Sequence, residues 1–154
     1  MRLRGYRDAD APLLSGPWVA GELLALPAAD RPALAEPAVV APPRGHEVEL
    51  CIAPDGGFAR FSELDQVARR ARLEIGVRPG ADDGAARDLL DAALAHGFEV
   101  LNLHRLYGWV TPAASAPAGL LAEAGFAREA TVPDGAWHDG RTVDRQIWAV
   151  VRDV

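Results

Sequence analysis

The stretch RARLEIGVRPGADDGAARDLLDAALAHG, residues 70–97, decides the fold. Its first part alternates. Ala71, Leu73, Ile75 and Val77 share one face of an extended chain, while Arg70, Arg72, Glu74 and Gly76 share the other. Pro79 and Gly80 break the pattern, and the period then changes. Ala86, Leu89, Leu90, Ala93, Leu94 and Gly97 recur at helical spacing, the apolar stripe of a helix laid on a sheet, with Gly97 placed as its C-terminal cap. A strand, a glycine-bearing turn and a helix start also outline an anion cradle, because the first N–H groups of a helix lack internal partners and carry partial positive charge. Asp82 and Asp83 sit at that start. A carboxylate there accepts from the same N–H groups, so it can cap the helix itself and repel an incoming anion.

Working outward, HEVELCIA (residues 46–53) and FARFSEL (58–64) flank the turn PDGG and read as a β-hairpin that leads into the strand above. Downstream, FEVLNLHRLYGWV (98–110) is strand-like. SAPAGLLAEAG (115–125) reads as a short helix with Pro117 in its first turn and Gly125 at its end. FAREATV and RTVDRQIWAVV read as two strands around the turn-rich PDGAWHDG. The prolines at 27, 32, 37, 42 and 43 restrict residues 26–45 to short helical pieces, either a surface connection or a wall beside a substrate. The order is ββββ-α-β-α-ββ after one or two helices: an α+β chain, one domain over residues 1–154.

Hydrophobic residues make up 49% and charged residues 25%, an ordinary globular balance. No apolar run approaches the ~20 residues that span a bilayer, so no membrane role is expected. MRLRGYRDAD lacks an apolar signal core, and the single Cys51 makes no internal disulfide, so the expected compartment is the cytoplasm. All 16 basic residues are arginine and the net charge is −6, which disfavours nucleic acid and suits a cationic substrate. His46, His96, His104 and His138 show no metal spacing with Cys51 or with carboxylates, so no metal is expected and Cys51 reads as a small buried hydrophobe.

GFARFSELDQVARRARLEIGVRP, GAARDLLDAALAHGFEVLNLHRLYGWVTP, LLAEAGFAREATV and DGRTVDRQIWAVV together resemble the GCN5-related N-acetyltransferases (GNAT), in the branch that includes ribosomal-protein N-terminal acetyltransferases. LNLHRL (101–106) and EAGF (123–126) are the most specific pieces. The resemblance implies a mixed, mainly antiparallel sheet of six to seven strands with helices on both faces. It also implies a splay between the family's fourth and fifth strands that holds acetyl-coenzyme A (acetyl-CoA) as co-substrate. The pantetheine arm would lie on the fourth-strand backbone, here Ile75 and Val77, and the pyrophosphate on the helix start, here Gly84, Ala85, Ala86 and Arg87. The family's phosphate motif keeps Gly84 and Ala86 but has Ala81 at its Gln/Arg position. Ala114, Pro117 and Leu121 stand where many relatives carry Asn, Ser and Tyr, so the coenzyme A motifs read as degenerate.

The implied function is transfer of an acyl group from acetyl-CoA to a primary amine, of a small molecule or a protein N-terminus. Glu74 occupies a plausible base position, or is simply a strand residue beside Arg72. Tyr107 and His104 lie on the fifth strand, and Tyr107 is the second catalytic candidate. Trp137, His138, Asp139 and Asp144 lie by the acceptor side and suit a cationic amine, or simply make a turn. The alternative reading is a fold member that has lost ordinary acetyl-CoA chemistry and serves as a binding or regulatory module, or catalyses another reaction in the same cleft. Such domains often pair through sheet edges, so a homodimer is compatible with either reading.

Overall fold

The computed structural model describes residues 1–16, 21–25, 38–39, 48–114 and 117–152. The described strands are β1 (Arg4–Gly5), β2 (Ser15–Gly16), β3 (Ala38–Val39), β4 (Glu49–Ile52), β5 (Phe58–Asp65), β6 (Arg70–Gly76), β7 (Arg105–Val110), β8 (Ala127–His138) and β9 (Arg141–Val151). Seven of them form one sheet in the order β1-β4-β5-β6-β7-β9-β8, and β2 and β3 pair separately. Every neighbour in the large sheet is antiparallel except β6 and β7, which are parallel and joined through the helix α1 (Asp83–Ala95). A parallel pair needs such a crossover, because a tight turn can only reverse the chain.

The strand alternation sorts side chains to two cores. Cys51, Ala59, Phe61, Ala71, Leu73 and Ile75 face the side covered by α1 and by the short helix α2 (Ala118–Glu123), whose Leu89, Leu90, Ala93 and Leu121 are buried against them. Leu50, Ile52 and Phe58 face the other side, where Leu14 from the 3₁₀ helix Asp8–Leu14 closes over them. Helices thus cover both faces of an α+β sheet, as the sequence pattern implies.

Some boundaries differ from expectation. Gly97 does not cap α1. The helix continues as a π-helical turn, His96–Val100, and β7 starts only at Arg105, so the stretch from Phe98 is not all strand. Gly97 serves packing instead: a Cβ there would lie 2.8 Å from Leu106 Cδ1 and 3.1 Å from Phe61 Cε1. The late hairpin is longer than PDGAWHDG suggests. β8 runs through that segment with shifts of register between Val132 and Ala136, and the reversal is confined to Asp139 and Gly140, both at positive φ. The proline-rich stretch lies outside the described residues apart from 38–39, as do His46 and the first residues of the HEVELCIA strand.

Candidate active site

β6 and β7 stay paired for a short distance only, at Arg70–Arg105, Ala71–Leu106 and Arg72–Tyr107. Beyond that point they part, and residues 21–25 enter the wedge. Leu23 N–H donates to the Trp109 carbonyl (2.7 Å), Ile75 N–H to the Leu23 carbonyl (3.1 Å), Ala25 N–H to the Ile75 carbonyl (2.9 Å) and Val77 N–H to the Ala25 carbonyl (3.2 Å). Leu23, Leu24 and Ala25 are buried. This close approach requires Gly108, where a Cβ would meet Leu23 Cβ and the Leu73 carbonyl, each at 2.8 Å.

Glu22, carried into the wedge by this segment, is the carboxylate that the sequence reading passed over. It is 2% exposed. One oxygen accepts from Thr111 N–H (2.9 Å); the other has no hydrogen-bond partner and lies 3.6 Å from Arg145 Nη2. Burial pushes its carboxyl above the ordinary carboxylate range, offset in part by Thr111 and Arg145. Arg145 also donates to the Gly21 carbonyl and stacks 4.8 Å from the centre of the Trp109 ring. Nothing in the string GELLAL marks its acid as functional; only the bridge from Glu22 to Trp109 brings it to the wedge.

The expected catalytic pair sits differently. Glu74 is buried, and its Oε1 accepts from Arg72 (3.0 Å) and Arg60 (3.2 Å). Two guanidiniums thus occupy the same carboxylate oxygen. Tyr107 belongs to the last paired position before the strands part, and its hydroxyl donates to Glu63 (2.6 Å). Burial, and then that bond to Glu63, raises its pKa, so it stays protonated at neutral pH. His104 precedes β7 at the far end, where its N–H donates to the Arg69 carbonyl. Trp137 is exposed at 73% on β8.

The expected cofactor residues gather at the wedge mouth. Their hydrogen-bonding groups are largely used by the chain. Ile75 N–H and C=O and Val77 N–H are taken by residues 23 and 25. At the start of α1, Asp82 caps the helix: its side chain accepts from Ala85 N–H (2.8 Å) and its carbonyl from Ala86 N–H (3.0 Å). Asp83 and Gly84 supply the first two helical N–H groups, and neither has a partner within the helix. Arg87 is held along the helix by Asp91 (2.9 Å) and across to α2 by Glu123 (3.1 Å). Arg78 turns back to the Gly56 and Leu13 carbonyls. Among the described residues, no backbone hydrogen bond takes up the Val77 carbonyl or the N–H groups of Asp83 and Gly84, a shorter track than the resemblance implies.

A mostly antiparallel sheet whose one parallel pair parts around a wedge, with a helix start at its mouth, is the architecture of the GCN5-related N-acetyltransferase superfamily. The chain is similar to spermidine N-acetyltransferases. It is 30% identical to the spermidine N(1)-acetyltransferase of Vibrio cholerae over 89 residues, 57% of this chain and 51% of that protein. The solved structure of a point mutant of the Vibrio cholerae spermidine N-acetyltransferase superposes with a TM-score of 0.63 at 26% identity, covering 68% of this chain and 66% of the other. The same enzyme in complex with CoA and spermine superposes with a TM-score of 0.63 at 24% identity and equal coverage, a likeness of fold. The chain spans about half the length of the curated relative it matches. No family model matches it.

Proposed function

We propose that this chain transfers an acetyl group from acetyl-CoA to a primary amine of a small polycation of the spermidine class. The observation that carries the reading is the parting of β6 and β7, in a fold shared with spermidine acetyltransferases. The likeness to those relatives favours a small-molecule amine over a ribosomal-protein N-terminus, and it lends no support to the ribosomal-protein branch or to degenerate coenzyme A motifs. The net charge of −6 suits a cationic acceptor. The co-substrate supplies an activated thioester. This chain supplies the track from Val77 to Gly84 and, at the wedge, a proton acceptor for the attacking amine, which must lose a proton to react. Glu22 fits that role better than Glu74: its second oxygen accepts no hydrogen bond and faces Arg145 only at 3.6 Å, and its pKa is raised, whereas one oxygen of Glu74 accepts from both Arg60 and Arg72. The open edge of β8, with Trp137 exposed, supports pairing of two copies as a homodimer.

A second reading, a GNAT-fold binding module without acetyl transfer, is favoured by one observation: the chain itself uses the amides of Ile75, Val77, Ala85 and Ala86. The deciding experiment measures thiol release from acetyl-CoA with spermidine as acceptor, alongside calorimetric titration of CoA. Saturable, spermidine-dependent release supports the transferase. CoA binding without release with spermidine, spermine or a peptide amine supports the second reading. Neither binding nor release overturns both.

A further inference from the structure

Across β5 from the wedge, on the side of the sheet covered by α1, three side chains converge that sequence spacing does not connect. Glu49 and Cys51 project from the same face of β4, and His96 opens the π-helical turn after α1. Their ligand atoms all lie within 4.8 Å of one another, with His96 Nε2 3.5 Å from Cys51 Sγ and 3.2 Å from Glu49 Oε2. We propose that Glu49, Cys51 and His96 form a zinc site, with three protein ligands and a fourth position left to water. This departs from the expectation of no metal, which rested on spacing along the chain alone. The i, i+2 pair on a strand and a histidine 45 residues later meet only once β4 packs beside the end of α1.

Distances, an unsatisfied atom and local geometry support the site. Zinc bonds of about 2.3 Å to sulfur and about 2.0–2.1 Å to nitrogen, at a tetrahedral angle, hold those two atoms about 3.5 Å apart, and nitrogen and oxygen about 3.3 Å apart. Two of the three separations, 3.5 and 3.2 Å, match these values, and the third, between Glu49 and Cys51, lies within 4.8 Å. Without a metal, His96 Nε2 can serve only one of its two neighbours at a time. Nε2 carries either one proton or one lone pair, yet it faces both a thiol and a carboxylate, and Glu49 Oε2 is buried with no hydrogen-bond partner. A cation at the common centre satisfies all three. The Phe61 ring, 5.6 Å from the imidazole, packs His96 in place, and π-turns recur where a helix must aim a functional side chain. Thiolate with imidazole and carboxylate selects zinc over magnesium or calcium, which take oxygen ligands. On binding, Zn–S, Zn–N and Zn–O bonds form, the Cys51 thiol releases its proton to solvent, and nothing is oxidised or reduced.

The test strips the full-length chain with a chelator and titrates it with zinc in competition with a chromophoric chelator. Cobalt(II) serves in parallel as the spectroscopic probe. One zinc per chain is expected, together with a thiolate-to-cobalt charge-transfer band and a thermal midpoint raised by about 4 °C or more at saturation. Cys51→Ala is expected to abolish the band, and the part-exposed His96→Gln to weaken zinc at least about tenfold while folding normally. Absence of stoichiometric uptake by the wild-type chain overturns the site. So does uptake that survives unchanged in His96→Gln, which would mark surface binding. Neither outcome bears on acetyl transfer.

Discussion

Glu22 and Glu74 flank the same wedge, and their surroundings assign them opposite properties. Removing water from Glu22 makes its charged form costly, which raises its proton affinity. Two arginines, Arg60 and Arg72, pair with Glu74 at 3.2 and 3.0 Å and occupy its Oε1. Because the folded pKa of Glu22 lies above the ordinary value, its active, ionised form grows in only as pH rises through that raised pKa. The kcat/KM profile is therefore expected to show an acid limb above the usual carboxylate range. Glu22→Gln is expected to remove that limb and lower kcat about a hundredfold, the scale of general-base catalysis. Glu74→Gln is expected to keep the limb. The reverse result reassigns the base to Glu74. The two aspartates at α1 also separate. Asp82 caps Ala85 N–H, so Asp82→Ala is expected to destabilise the fold by about 1 kcal/mol in a denaturant titration. Asp83 is exposed and caps nothing described, so Asp83→Ser is expected to strengthen CoA binding. A unit charge ~5 Å from a phosphate at an effective dielectric near 20 repels it by about 3 kcal/mol before salt screening, so a tenfold gain is a modest expectation. Unchanged or weaker CoA binding by Asp83→Ser contradicts the repulsion. Sequence alone shows both aspartates but cannot divide these roles, since the choice between them is a matter of which carboxylate turns toward Ala85.

At the scale of elements, the short segment 21–25 shapes the wedge more than any helix does. It bridges Trp109 on β7 and Ile75 on β6, and Gly108 lets it lie flat. Gly108→Ala is expected to cost about 1–3 kcal/mol, as overpacking does, and to lower acetyl-CoA affinity by displacing Glu22 and Leu23. Thermal melting checks the first effect and calorimetry the second; a fully stable variant would show that the segment yields easily. The β4–β5 hairpin, β6 and α1 were legible because period two and the helical stripe differ sharply over several residues, whereas the strand read from Phe98 begins only at Arg105. The segment 21–25 was not. GELLAL has no period, and its two bridges to distant strands are visible only in three dimensions. Gly97 was misread for a related reason. A glycine at a helix end signals a cap or a close approach equally well, and Leu106 and Phe61 decide for the approach.

The whole molecule is a sheet closed on two sides, with its N-terminal edge pinned electrostatically. Arg4 on β1 holds Asp10 of the 3₁₀ helix in a bidentate pair at 2.7 Å, and Asp10 also accepts from Arg7 N–H. The hydrogen bonds from Arg4, foremost, hold the Asp10 carboxyl at about 2. Its folded pKa lies below the unfolded value of about 3.9, so the contribution is present above pH ~4 and is lost as pH falls toward 2. Asp10→Asn is expected to flatten the acid side of a stability–pH curve in that window, and an unchanged curve would show the pair to be inert. No described helix is long and apolar enough to cross a membrane. The central claim is that the mouth of the wedge, from Val77 to Gly84, receives acetyl-CoA. Amide hydrogen exchange with and without acetyl-CoA reads this directly. Slower exchange concentrated in residues 77–86, with β8 unchanged, is the predicted result. Exchange in residues 77–86 that is indifferent to saturating acetyl-CoA would contradict it.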